Sequence, residues 1–314
     1  MPNKRRQRRE KKREQPKRGA KSDEKNDAKS GGKSEKAPSR QYCTQRCLRG
    51  LLTKDALDND CPNVEEHRGK VRGQDRHVIS PPTFLRLMRS QLARDRDSNC
   101  EPLYIQGARG ALFKLTLASH GYTVAAKGTI LDFIPDLQHE ATVYKRLRSI
   151  QGMYVPVCLG AIDLVLPYYH NGSKIVHMLF LSWGGIRIDR HIDRNNMGDV
   201  LDRASRALQA IHQLEVLHHD AMPRNLPWNT EDERVMVVDF ERAKVVERKV
   251  TKKQTALRSI SGNQRPQKKR KTAKLGKETE VFHEKDTLYT RETRDMRVGL
   301  TRCVQGFLDW QKVA

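Results

Sequence analysis

The chain has no run of about 18 or more apolar residues, the length that a membrane-crossing helix needs. Its first residues are charged, with no apolar segment behind them, so a secretory leader is not expected either. Apolar residues are scarce, at 36% of 314. That length suits one large domain or two small ones. The six cysteines, in a chain not expected to be secreted, read as reduced thiols. The expected compartment is therefore the cytosol or the nucleus.

What is present in excess is positive charge, a formal net +23, and it is unevenly placed. Residues 1–40 hold 16 Lys/Arg against 6 Asp/Glu, and residues 247–277 hold 12 against 1. The rest of the chain is nearly neutral. Both basic segments lack apolar periodicity, and such segments cannot bury enough surface to offset the entropy of ordering them. Each reads as a disordered appendage. Tails of this kind bind polyanions such as nucleic acid by counterion release, without reading sequence; solvated tails with no specific partner are the other reading. The run "KKRK", Lys268–Lys271, fits a nuclear import signal.

After the first tail, Cys43, Cys47, Cys61 and His67 are spaced C-x3-C-x13-C-x5-H. Three thiolates and an imidazole can hold a tetrahedral Zn²⁺. The same stretch, "CLRGLL", also reads as an amphipathic helical turn with Cys47 packed inside.

Further along, Phe84, Leu87, Met88 and Leu92 recur at helical spacing. From Leu103 the period shortens to two. Phe113, Leu115 and Leu117 alternate, as do Tyr122, Val124 and Ala126, which predicts antiparallel strands joined at Gly107–Gly110 and at "SHG". "IPDLQHEATVYKRL" then sets Leu137, Ala141, Tyr144 and Leu147 on one helical face, with Glu140 at the edge of the stripe. Two more strands follow, "VPVCLGAIDLVL" and "SKIVHMLFLSW". A second helix carries Leu201, Ala204, Leu208 and Ile211. Behind it come the loop "EVLHHDAMPRNLPWN" and the apolar run "VMVVDFERA". The last stretch reads as one or two helices, with Leu288, Met296, Leu300, Val304 and Leu308 partly on one face.

Together these features resemble the protein-kinase-like fold from about Leu103 to Ala243, in the family's order and spacing. The resemblance implies an α+β, bilobal architecture: a five-stranded antiparallel N-terminal lobe with one helix, and a small, mainly helical C-terminal lobe. It implies ATP and Mg²⁺ as cofactors, with the acceptor a protein or a small molecule. His218, Asp220 and Asn225 match the catalytic loop H-x-D-x-x-x-x-N, with Asp220 taking the substrate proton. Asp239 stands at the metal-binding Asp of D-F-G, so Asn225 and Asp239 are the implied Mg²⁺ ligands. Lys127 of "VAAK" matches the phosphate-pairing lysine and Glu140 its helix partner. Gly107 and Gly110 match the last two glycines of the phosphate loop. Leu112 and Ala125 fall beside the adenine, and Leu181 and Trp183 lie in the hinge segment "FLSWGG".

This chemistry suits these residue types, because phosphoryl transfer is chiefly positioning and charge neutralisation. The sequence also departs from the pattern. Glu241 replaces the D-F-G glycine, Ile105 the first loop glycine, His219 the loop arginine, and Met222 a common lysine that Arg224 could replace. No A-P-E follows, and the basic run 247–277 stands where an activation segment would be. In these respects the chain is closer to the RIO-type and aminoglycoside-phosphotransferase-like branches. It also resembles a group of fungal kinase-like proteins.

Three functions stay open at this point: an atypical kinase, a pseudokinase acting as a binding module, and a basic nucleic-acid binder. The expected organisation is a tail over 1–41, a Cys/His segment over 42–77, an N-terminal lobe over 78–183 and a C-terminal lobe over 184–314.

Overall fold

The alternating stretches become one antiparallel sheet in the computed structural model, which describes residues 40–69, 73–107, 110–246 and 275–311. Its strands are β1 (Cys100–Gly107), β2 (Gly110–Leu117), β3 (Tyr122–Thr129), β4 (Cys158–His170) and β5 (Ser173–Leu181), in the order β1-β2-β3-β5-β4. Period-two alternation sorts their side chains between two cores. Phe113, Leu115, Val124, Ala126, Met178 and Phe180 join one apolar cluster; Leu179 and Leu181 join the other.

The first cluster is covered by helices from the segment before the sheet. Helix α1 (Gln45–Thr53) starts on the Thr44 hydroxyl, which accepts the Cys47 N–H at 3.0 Å, and it ends on Lys54 in the left-handed region. A short α2 (Val64–Arg68) follows. α3 (Pro81–Arg94) has Ser80 as its cap and prolines in its first turn, where a missing N–H costs nothing. It buries Phe84, Met88 and Leu92, three of the four residues whose spacing predicted it.

The second cluster is built by α4 (Ile134–Arg146), inserted between β3 and β4, α5 (Met197–Gln213) and α6 (Leu275–Gln311). Among the described residues between α5 and α6 lie four two-residue strands: β6 (Val216–Leu217), β7 (Trp228–Asn229), β8 (Arg234–Val235) and β9 (Lys244–Val245). The architecture is α+β, with a five-stranded antiparallel sheet and a small, mainly helical second part, as a small bilobal kinase-like fold requires. No helix among the described residues is long and apolar enough to cross a membrane.

One local expectation is revised. The run Val235–Val238 reads as a strand, yet the ladder ends at Val235. Beyond it, the N–H groups of Met236 and Val238 bond the Pro227 and Asn225 carbonyls of the loop behind α5, and that of Val237 bonds the Tyr154 carbonyl on another loop. The last stretch is a single helix, and of its stripe Met296, Leu300 and Val304 are buried whereas Leu288 is exposed; the Leu308 side chain lies outside the description. The appendages expected over 1–40 and 247–277 fall largely outside the described residues, although Leu275–Lys277 already belong to α6.

Candidate functional site

β3 and α4 bring Lys127 and Glu140 together. Lys127 Nζ donates to Glu140 Oε2 at 2.8 Å, it also bonds the Asp239 carboxylate, and Glu241 lies 3.5 Å away. Glu140 is 1% exposed, and its other oxygen accepts the Phe240 N–H at 3.3 Å. Burial alone would depress the Lys127 ammonium, but Glu140 and Asp239 outweigh it and push it above its usual range. Burial also pushes Glu140 up, although Lys127 opposes this. The lysine has three carboxylates within reach and stays charged.

The loop behind α5 is fixed from several sides. His218 is buried. Its Nε2–H donates to the Val238 carbonyl at 2.9 Å, and its Nδ1 accepts the Asp220 N–H at 3.2 Å. Burial lowers its pKa, so the ring is a neutral spacer rather than an acid. Its edge meets Phe240, whose ring meets Tyr144 of α4. Both oxygens of Asp220 are held by Arg224, at 2.6 and 2.7 Å. Asn225 donates its amide N–H groups to the Asp220 carbonyl and carboxylate, which leaves its Oδ1 for a cation. Asp239 follows Val238, whose N–H bonds the Asn225 carbonyl at 3.0 Å. The Asp239 carboxylate and the Asn225 amide oxygen are hard oxygen donors of the kind that suits Mg²⁺.

The residues expected around a nucleotide base are also adjacent. Leu112 pairs with Lys127 across β2 and β3, and Ala125 pairs with Leu181 across β3 and β5. Gly107 pairs with Gly110 at the β1–β2 turn. An added Cβ on Gly110 would stand 2.6 Å from the Gly128 carbonyl oxygen, so this strand approach needs glycine. Gly185, after the hinge, has φ +126° and would place a Cβ 2.1 Å from the Trp228 carbonyl oxygen.

One member of the site was missed in the sequence. Glu292 of α6 accepts the His219 N–H at 2.5 Å and the His218 N–H at 3.2 Å, and it pairs with His212 at 2.7 Å. Burial alone would raise this carboxyl, but those bonds hold it below its usual value. A signal was available: Glu292 precedes Met296, Leu300 and Val304 at intervals of four, a carboxylate on an apolar stripe.

A second cluster lies at the far end of the sheet. The ligand atoms of Cys43, Cys47, Cys61 and His67 lie within 4.8 Å of one another, and all four residues are buried. Cys47 packs inside α1, and its thiol joins the cluster. His67 Nδ1–H donates to the His120 carbonyl at 2.7 Å, so Nε2 presents its lone pair 3.4 Å from the sulfurs of Cys43 and Cys61. Orientation through the second ring nitrogen is characteristic of metal-bound histidine. The Thr123 N–H and the Asn63 amide both point at the Cys43 sulfur. Burial drives the Cys43 thiol up, while mutual bonding drives Cys47 up and Cys61 down.

Comparison with known proteins agrees with this geometry at a coarse level. The chain is 39% identical over 213 residues to the meiotic driver SPOK2 of Podospora anserina, covering 67% of this chain and 27% of that protein. It is 26% identical over 153 residues to the mitogen-activated protein kinase p38a of Drosophila melanogaster, covering 46% of this chain and 41% of the kinase. The chain carries a distant kinase likeness. It spans about a quarter of the driver and two fifths of the kinase. No family model matches it.

Proposed function

We propose that the chain is an Mg²⁺- and ATP-dependent phosphotransferase of atypical protein-kinase type. The observation that carries this reading is the convergence of Lys127, Glu140 and Asp239, with Asp220 and Asn225 on the adjoining loop. A buried ammonium with three carboxylates around it is more than packing requires, since each buried charge costs solvation. It suits a site whose lysine exchanges one carboxylate for a phosphate.

Lys127, kept in place by Glu140, would release Asp239 and pair with the phosphates. Asp239 and the Asn225 amide oxygen would hold Mg²⁺, which supplies charge neutralisation for the transferring group. Asp220 would accept the proton of the acceptor hydroxyl as its oxygen bonds to the γ-phosphorus and ADP departs. Arg224, once off Asp220, would face the transferring phosphoryl group at the place where Met222 offers no charge. The acceptor is a protein hydroxyl or a small molecule.

Two further assignments belong to this reading. Cys43, Cys47, Cys61 and His67 would hold a structural Zn²⁺ with no open position. The basic segments 1–40 and 247–277 would supply non-specific contacts to polyanions, with affinity that falls steeply with salt. Similarity to a meiotic driver suggests that such proteins share this module, which accounts for 27% of that relative.

The test is a thermal unfolding scan with and without Mg²⁺–ATP, together with transfer of labelled γ-phosphate to the chain itself and to a generic protein acceptor. At a hundred times its dissociation constant, ATP should stabilise the fold by about 2.7 kcal/mol. Asp239→Asn should lose the metal-dependent part of that rise, and Asp220→Asn should lose transfer while still binding. A folded protein with no rise at all would instead favour the binding-module reading.

A further inference from the structure

The helix that presents Cys47 is also fastened to the hinge. Gln45, the first residue of α1, is 3% exposed although its side chain is polar. Its Nε2 donates to the Trp183 carbonyl at 2.6 Å, and its Oε1 accepts the Ser182 hydroxyl at 2.5 Å. The Ser182 oxygen accepts the Val157 N–H at 2.8 Å, which ties the network to the start of β4. The Gln45 backbone N–H reaches the Glu231 carboxylate at 3.3 Å, on the turn between β7 and β8.

Tyr42 adds a second hold. Its ring stacks on the Trp183 indole, with centroids 4.9 Å apart and planes 6° apart. The Lys114 ammonium lies 5.0 Å from the centre of that ring, and Lys114 pairs with Ala125 on the sheet. Immediately beyond Tyr42, the Cys43 N–H bonds the Thr123 carbonyl of β3 at 3.0 Å. One segment therefore grips β3, the hinge and the β7–β8 turn within four residues of Cys43.

An α1 that served only to cover the sheet would present apolar groups there, as Leu48 and Leu51 do. A glutamine buried against hinge backbone instead fixes the direction of peptide groups. With the Ser182 N–H spent on the Val157 carbonyl and the Trp183 carbonyl spent on Gln45, the hinge retains the Trp183 N–H, which donates to no group among the described residues. That N–H follows Leu181, the partner of Ala125, and so lies where a base edge would meet the hinge.

We infer that Gln45 and Tyr42 are positioning residues for nucleotide binding: they hold Trp183 so that its N–H meets the adenine edge, and the Cys/His cluster anchors the segment that carries them. The inference rests on reading the cleft as a nucleotide site. It extends that reading by making the Cys/His segment part of base recognition.

The experiment compares two ligands that share phosphates and differ in the base. Dissociation constants for Mg²⁺–ATP and Mg²⁺–tripolyphosphate are measured by calorimetry on the full chain, for wild type, Gln45→Ala and Tyr42→Leu. Circular dichroism and zinc content are recorded alongside. Gln45→Ala should weaken ATP about tenfold, the size of one or two lost hydrogen bonds, and leave tripolyphosphate unchanged. Tyr42→Leu, which keeps the buried polar network, should shift the same ratio in the same direction. Equal weakening of both ligands, an unchanged ratio, or a ratio that moves the other way overturns the inference. A wild type that binds tripolyphosphate but gains nothing from the base also overturns it, and one that binds neither ligand overturns the nucleotide reading beneath it.

Discussion

Glu292 holds the backbone of His219 at 2.5 Å from 73 residues away in sequence. The same carboxylate takes the His218 N–H and pairs with His212, so α6 sets the loop on which Asp220 and Asn225 stand. Glu292→Gln keeps an acceptor for one amide and loses the charge. It should leave the Mg²⁺–ATP dissociation constant within about twofold and lower the transfer rate on the order of 100-fold, the sensitivity expected of a group misplaced by an ångström. Rapid-quench measurement of transfer beside a binding titration separates the two effects. A rate that survives intact would mean that the loop holds its shape without α6.

Glu241 makes a different prediction. Its carboxylate lies 3.5 Å from Lys127 and is 13% exposed, where a glycine would add no charge. It should repel nucleotide phosphates until a cation is present and support the cation once it arrives. Glu241→Gln should therefore tighten metal-free ATP and raise the Mg²⁺ concentration needed for half-saturation, each about threefold to tenfold at the effective dielectric of a partly exposed site. Titrating ATP at fixed Mg²⁺ levels gives both quantities. A mutant with the wild-type metal dependence would remove Glu241 from the metal's surroundings.

How these two residues came to light shows what the sequence carries. The five strands, the inserted α4 and the order of Lys127, Glu140, Asp220, Asn225 and Asp239 were legible because each lies within a local pattern. Alternation marks a strand, and a carboxylate beside an apolar stripe marks a partner. Glu292 obeys the same rule, yet its partners are backbone groups in a distant loop, and the basic run 247–277 stands between. Gln45 was illegible for a related reason: it bonds the Ser182 hydroxyl, the Trp183 carbonyl and the Glu231 carboxylate, and nothing in α1 reports them. Val235–Val238 misled in the opposite direction. Its apolarity satisfies burial on all sides, but beyond Val235 its N–H groups bond the carbonyls of two loops.

The Cys/His cluster predicts one tightly bound zinc per chain and a structural penalty for its loss. α1, α2 and β3 meet at these four residues, and their sulfurs share one buried volume. Cys47→Ser should abolish stoichiometric zinc by atomic absorption and lower the unfolding midpoint on the order of 10 °C, because metal binding in such sites is folding free energy. A zinc-free wild type with an unchanged midpoint would reduce the cluster to four packed side chains.

Acid should weaken the fold partly through His77. Its Nδ1 bonds the Tyr122 hydroxyl at 2.7 Å, while its Nε2 is shielded from solvent with no partner. Burial pulls its pKa down to about 4. The sign follows from linkage. The unfolded chain binds a proton near pH 6.5 and the folded chain only near 4, so stability is full above 6.5 and declines as pH falls towards 4. Burial depresses His218 and His120 as well, so they add in the same direction. His77→Gln should lose about 1 kcal/mol less than wild type between pH 7 and pH 5, a figure reduced for partial exposure of the ring. Urea unfolding of both proteins at the two pH values measures the difference, and the Cys/His cluster, common to both, cancels from it. Parallel losses would show that His77 is protonated in the folded state as readily as in the unfolded one.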